Sequence, residues 1–190
     1  MSENANQQQA RTIETVDHGK LDLKALTLYA ILLAAGFVLN LTVSKFFSGL
    51  TGGILSPEFI IAAFCLEILL IKPNVGQAAV IGLLAGVVIQ ITASVKGPDL
   101  IAEPVAAVVM ALLVSTLGKT GAKAGLPLVG TFVVTFISGM IYAVIFACFV
   151  QRNPALIGVM APVVAATGVC NGIIVAALYL PVRSALKLGE

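Results

Sequence analysis

Residues 126–150 read LPLVGTFVVTFISGMIYAVIFACFV, 25 residues without a charge. Crossing a hydrocarbon core about 30 Å thick takes roughly 20 helical residues, so this run predicts a membrane-spanning helix. Gln151-Arg152-Asn153-Pro154 closes it with a polar joint. Outward from this stretch, the same alternation of apolar run and short polar joint fills the chain. The runs cover about residues 23–47, 57–71, 75–95, 104–117, 126–150 and 156–182. The first, third, fifth and sixth are long enough to cross. The second and fourth are short, and are expected to tilt less, to adjoin re-entrant segments or to start below the membrane surface. The expected fold is all-α: a polytopic membrane protein with six transmembrane helices over residues 23–185. Residues 1–22 are expected to be a disordered cytoplasmic tail and 186–190 a second, short one.

Composition points the same way. Of 190 residues, 59% are hydrophobic and 11% charged, and the mean hydropathy is +1.06. Soluble chains carry roughly a quarter charged residues. Ten of the twenty charges lie in residues 1–24 and 182–190, leaving ten for the 157 residues between. That excludes a cytosolic enzyme, a nucleic-acid binder and a disordered chain. The length excludes the large two-repeat carriers, which need about a dozen spans. Met1–His18 is polar, without an apolar h-region, and is not expected to be a cleaved signal peptide.

No chemistry-bearing motif emerges. Cys65, Cys148 and Cys170 are isolated in apolar runs, and His18 is the only histidine. Gly118-Lys119-Thr120 looks like the end of a phosphate loop, but the pattern needs Gly where Leu113 stands. Neither an enzyme, nor a cofactor, nor a metal site is expected.

Positive charge sets the expected orientation. With both ends inside, Arg11, Lys20, Lys24, Lys72, Lys119, Lys123, Arg183 and Lys187 are cytoplasmic, against Lys45, Lys96 and Arg152 outside. Cytoplasmic loops carry the excess of Lys and Arg, so eight against three places the N-terminus in the cytoplasm.

On that topology the polar residues of the spans gather toward the outer side. Asn40, Ser44 and Lys45 end the first run, Glu58 begins the second, and Gln90, Thr92 and Ser94 end the third. Tyr142 lies in the outer part of the fifth, and Asn171 is near mid-depth in the sixth. Polar groups within a membrane face the protein interior or a cavity, so an outward-opening pocket for a small molecule is expected. Ser44, Thr92 and Ser94 are expected to bond back to their own helices. Asn40, Gln90 and Asn171 serve either as helix–helix glue or as ligand contacts. Lys45 is either a solvated loop charge or a donor to a ligand carboxylate; Glu58 and Asp99 are candidate partners for an ammonium. Glu103, directly before Pro104, is expected first to cap a helix start and otherwise to line the pocket. Glu67 is expected to reach Lys72 or to dock another membrane subunit. The glycine-rich joint Ser48–Ser56, with Leu50, Ile54 and Leu55, is either a lid or a plain loop. Gly82 and Gly86, Gly168 and Gly172, and Ala30 and Ala34 have the spacing that lets helix backbones approach closely.

Several segments carry a resemblance: Tyr29–Gly36 (YAILLAAG), Gly97–Val105 (GPDLIAEPV), Val129-Gly130-Thr131, Cys170-Asn171-Gly172 and Leu178–Val182 (LYLPV). Over about residues 25–185 the chain resembles the substrate-binding (S) components of energy-coupling factor transporters, and most of all the bacterial tryptophan-transporter group. That group usually has a basic residue just before the proline, where this chain has Glu103. The resemblance implies a bacterial plasma-membrane subunit that captures tryptophan, a related aromatic amino acid or a vitamin outside the cell. It also implies docking through Ala30 and Ala34 onto a transmembrane coupling subunit driven by two ATPase subunits. An aromatic ligand would find an apolar slot among Phe37, Phe59, Phe136 and Phe146, with Asn40, Gln90, Glu103, Tyr142 and Asn171 around it. Two rivals remain open: a stand-alone oligomeric secondary transporter or channel, and a structural subunit without a pocket.

Overall fold

The computed structural model describes residues 23–53, 56–118 and 125–186. The expected tails, the joint carrying Lys119 and Lys123, and Ile54 and Leu55 of the supposed lid lie outside the described residues. The described residues form six helices and no strand: α1 (Leu23–Leu50), α2 (Phe59–Ile71), α3 (Val75–Thr92), α4 (Asp99–Leu117), α5 (Leu126–Val150) and α6 (Leu156–Ala185). A π-helical turn interrupts α1 at Asn40–Ser44 and ends α5 at Phe146–Val150. All but α2 are long and apolar enough to cross a membrane.

The bundle is apolar outside, and its largely apolar interior also holds buried polar groups. Leu83, Val87 and Ile91 of α3, Ile101 and Val105 of α4, and Ile173 and Leu180 of α6 are exposed. Asp99, Glu103, Thr135, Ser138 and Asn171 are buried. In water such a surface would associate; in lipid it is the favourable arrangement. The chain is a multi-pass membrane protein.

The short helix lies at the centre. Every residue from Ile60 to Ile71 is buried, and α2 packs against all five other helices. A helix buried all round is expected to be hydrophobic all round, which explains FIIAAFCLEILLI as an apolar run broken only by Glu67. Lys72 stops it in the left-handed conformation (φ 51°). Asn74 and Gln77 then start α3 with a reciprocal capping box.

Three sequence expectations are corrected. The fourth helix starts at Asp99 rather than Pro104, so Glu103 lies in its second turn and caps nothing. Glu67 is fully buried and neither carboxylate oxygen has a hydrogen-bond partner; it does not reach Lys72, and it presents no surface to a docking subunit. Ser48–Leu50 continue α1, with Leu50 68% exposed instead of folded over a cavity.

The glycine pairs carry the close crossings. A Cβ on Gly82 would stand 2.4 Å from the Glu103 carbonyl oxygen, and one on Gly86 2.7 Å from that of Asp99. Gly82 and Gly86 therefore seat α3 on the first turns of α4. Gly172 packs likewise against the Leu128 carbonyl, joining α6 to α5. Real Cβ atoms do not approach backbone oxygen that closely, so Gly82→Ala must push α3 and α4 apart. It should cost at least about 1 kcal/mol, read as a fall in melting temperature in detergent. Gly49→Ala, with nothing within 4 Å of the added atom, should stay within about 0.5 kcal/mol of the parent. Equal effects of the two substitutions would refute the crossing.

Candidate functional site

Because α2 begins inside the bundle, its first N–H groups need acceptors that water cannot supply there. Two asparagines provide them. The Phe59 N–H donates to Asn40 Oδ1 (2.7 Å) and the Glu58 N–H to Asn171 Oδ1 (2.9 Å). Each asparagine also donates. Asn40 Nδ2 reaches Glu58 Oε2 at 2.8 Å, and Asn171 Nδ2 reaches the Glu58 carbonyl at 3.2 Å and Thr135 Oγ1 at 3.3 Å. Nearby, the Thr167 hydroxyl donates to the Ser56 carbonyl (3.2 Å), and the Ser44 and Ser56 hydroxyls lie 3.2 Å apart. The segment entering α2 is thus tied to α1 and α6, and through Asn171 to α5.

Above this segment lies a cavity of about 390 Å³. Its polar wall includes Asn40, Glu58, Asp99, Glu103, Ser138 and Tyr142. Its apolar wall comes chiefly from Ile61, Ile89, Met160, Val163 and Val164. Lys45, Thr92 and Ser94 belong to the lining and are exposed, so the cavity reaches the surface at the end of the bundle where α1 and α3 stop and α4 starts. The volume suits a small organic molecule.

Glu103 and Asp99 stand one turn apart on α4. The Ser138 hydroxyl donates to Glu103 Oε1 at 2.8 Å, whereas Glu103 Oε2 has no partner. Gln90 Nε2 donates to Asp99 Oδ2 (3.3 Å), and Gln90 Oε1 accepts from the Gly97 N–H (2.8 Å). The Lys96 ammonium donates to the Gln90 carbonyl. Tyr142 stacks on Phe146, with ring centroids 5.9 Å apart and planes 16° apart. Among the described residues no group of three His, Cys, Asp or Glu is placed to hold a metal ion.

Of the eight residues expected at a pocket, the structure brings Asn40, Lys45, Glu58, Asp99, Glu103 and Tyr142 to the cavity wall. Gln90 and Asn171 are not among the lining residues; they hold Asp99 and the Glu58 backbone in place. Phe37, Phe59, Phe136 and Phe146 do not line it either, so the slot is aliphatic, with Tyr142 the one aromatic ring on its wall. Ser44, expected to bond back to its own helix, instead meets Ser56 across the cavity rim. Sequence reading missed Thr135, Ser138 and Thr167. The signal was present: Thr131, Thr135, Ser138 and Tyr142 recur at helical spacing on α5, and Thr167 precedes Asn171 by one turn on α6. Such a stripe faces one way.

Comparison of the chain with protein-family models, with curated proteins and with solved structures returns no match.

Removing the Asn171 amide strands the Glu58 N–H inside the bundle, while the Glu58 carbonyl keeps only the Ala62 N–H. An unsatisfied buried group costs about 1–3 kcal/mol, so Asn171→Ala should lower the melting temperature clearly. Thr42→Ala, which loses only an exposed bond to its own helix, should leave it nearly unchanged. A melting temperature for Asn171→Ala no lower than that of Thr42→Ala would show that the cap does not hold α2.

Proposed function

We propose that this chain is a membrane-embedded substrate-binding subunit that captures a small molecule from outside the cell, as the S components of energy-coupling factor transporters do. On this reading α2 counts as a sixth, short span, both termini are cytoplasmic, and the cavity opens outward in a bacterial plasma membrane. One observation carries the proposal: a ligand-sized cavity at one end of the bundle, with polar groups from all six helices or the segments that lead into them, floored by a helix that stops short of that end. A structural subunit has no use for such a cavity.

The division of labour follows. The chain offers no phosphate loop, so energy comes from separate subunits: a transmembrane coupling subunit and two ATPases. Ala30 and Ala34 are exposed on α1, where their small side chains permit close approach of a partner helix. An aromatic amino acid, tryptophan being favoured by the resemblance, would lay its ring on the aliphatic wall. Its ammonium would face the carboxylates and its carboxylate Lys45 at the rim. A vitamin is the second class the cavity accommodates. The rival reading, a stand-alone secondary transporter, would use the buried Glu67 and Glu103 for ion coupling and needs a second opening toward the other end.

Screening the detergent-solubilised chain against amino acids and vitamins should find a compound that raises its melting temperature. At one hundred times its Kd such a ligand contributes about 2.7 kcal/mol. Co-expressed with a coupling subunit and its ATPases, the chain should co-purify with them, and Ala34→Leu should lose that association. A screen without a stabilising compound would overturn the binding role. Proton-driven uptake by the chain alone in vesicles would favour the rival.

A further inference from the structure

Glu58, Asp99 and Glu103 all line the cavity, and among the described residues Lys45 at its exposed rim is the one basic side chain in its lining. The three carboxylates share one cavity lining, Asp99 and Glu103 one turn apart on α4. None of them is paired with Lys or Arg among the described residues. Their partners are neutral: Asn40 for Glu58, Gln90 for Asp99 and Ser138 for Glu103. Glu103 lines the cavity, is 2% exposed, and its buried Oε2 accepts nothing. Buried carboxylates normally have a counter-charge or lose their own charge. No wall residue supplies a buried one. The three acids are also not gathered closely enough to chelate a metal ion. The group that would complete the site is therefore positive, larger than a bare ion and attached to an apolar body that matches Ile89, Met160 and Val164.

We propose that the cavity recognises its ligand by positive charge: an ammonium or other organic cation set against the carboxylates of Glu58, Asp99 and Glu103. A carboxylate on the ligand is accommodated only at the rim, beside Lys45. This specifies the substrate class of the binding reading above and rests on it.

Three probes sharing one ring system separate the charges: tryptamine (cation), L-tryptophan (zwitterion) and indole-3-propionate (anion). Each is added at equal concentration to the full chain in detergent, and the melting temperature is followed. Tryptamine should stabilise the protein at least as well as tryptophan, and indole-3-propionate should not stabilise it. Glu103→Gln should bind tryptamine at least about tenfold more weakly. Without ligand it should melt no lower than the parent, because a half-satisfied buried charge has been replaced by a neutral amide that still accepts from Ser138. Asp99→Asn, nearer the rim, is the second variant and should weaken tryptamine in the same sense.

Stabilisation by indole-3-propionate equal to that by tryptamine would leave a pocket but overturn the charge assignment. So would stabilisation by only neutral or anionic members of an amino-acid and vitamin panel. A lower melting temperature of unliganded Glu103→Gln, with tryptamine affinity intact in both variants, would make Glu103 a structural partner of Ser138 and also overturn it. No shift from any probe or panel member would remove the binding reading itself.

Discussion

The rest of the structure depends on a helix that starts in the wrong place for a membrane protein. α2 has 13 residues, about 20 Å at 1.5 Å per residue, against a hydrocarbon core of about 30 Å. The missing length leaves room for a cavity at one end of the bundle. It also leaves a helix N-terminus, with its unsatisfied N–H groups, inside the bundle. Asn40 and Asn171 meet that demand from α1 and α6. Without them the start of α2 would have no reason to stay where it is, and the cavity would have no fixed floor. The cap and the cavity are thus two aspects of one choice of helix length.

Packing around α2 follows from small residues on one side and polar stripes on the other. Gly82 and Gly86 bring α3 against the first turns of α4, and Gly172 does the same for α6 on α5. Close crossings of this kind gain dispersion contacts where lipid offers no hydrophobic drive for helix association. They also fix the azimuth of each helix. Once α4 is seated at the Asp99 and Glu103 backbone, its two carboxylates have only the interior to face. Once α5 is seated against α6, Thr135 and Ser138 meet Asn171 and Glu103.

How far the sequence reveals this differs by level. The helix runs were legible because apolar length is a strong signal: residues 126–150 and 156–182 match α5 and nearly all of α6. The start of the fourth helix was misread because Glu103-Pro104 imitates a helix start, while the helix begins a turn earlier at Asp99. In the cavity, the charged and amide residues stood out against an apolar background, and six of eight stand on its wall. Gln90 and Asn171 were placed there for their polarity, yet polarity alone does not tell a ligand contact from a residue that holds one. That difference depends on where the amide's two ends point, which only the packed helices decide. Thr135, Ser138 and Thr167 were overlooked because hydroxyls in membrane helices commonly bond to their own backbone. Here Thr135 and Ser138 bond across helices, and Thr167 bonds to the segment entering α2.

The choice of asparagine at positions 40 and 171 has a physical reason. A backbone N–H wants an acceptor, and the Glu58 carbonyl and carboxylate want donors; an amide supplies both from one side chain. An aspartate at either place would accept the N–H equally well, but it would add a fourth negative charge beside Glu58, Asp99 and Glu103 and leave the donors' role unfilled. An apolar residue would fill the space and strand the helix start. The amides therefore hold the acidic wall in position without altering its charge. A wall held in advance spends little further entropy on ordering when a ligand arrives.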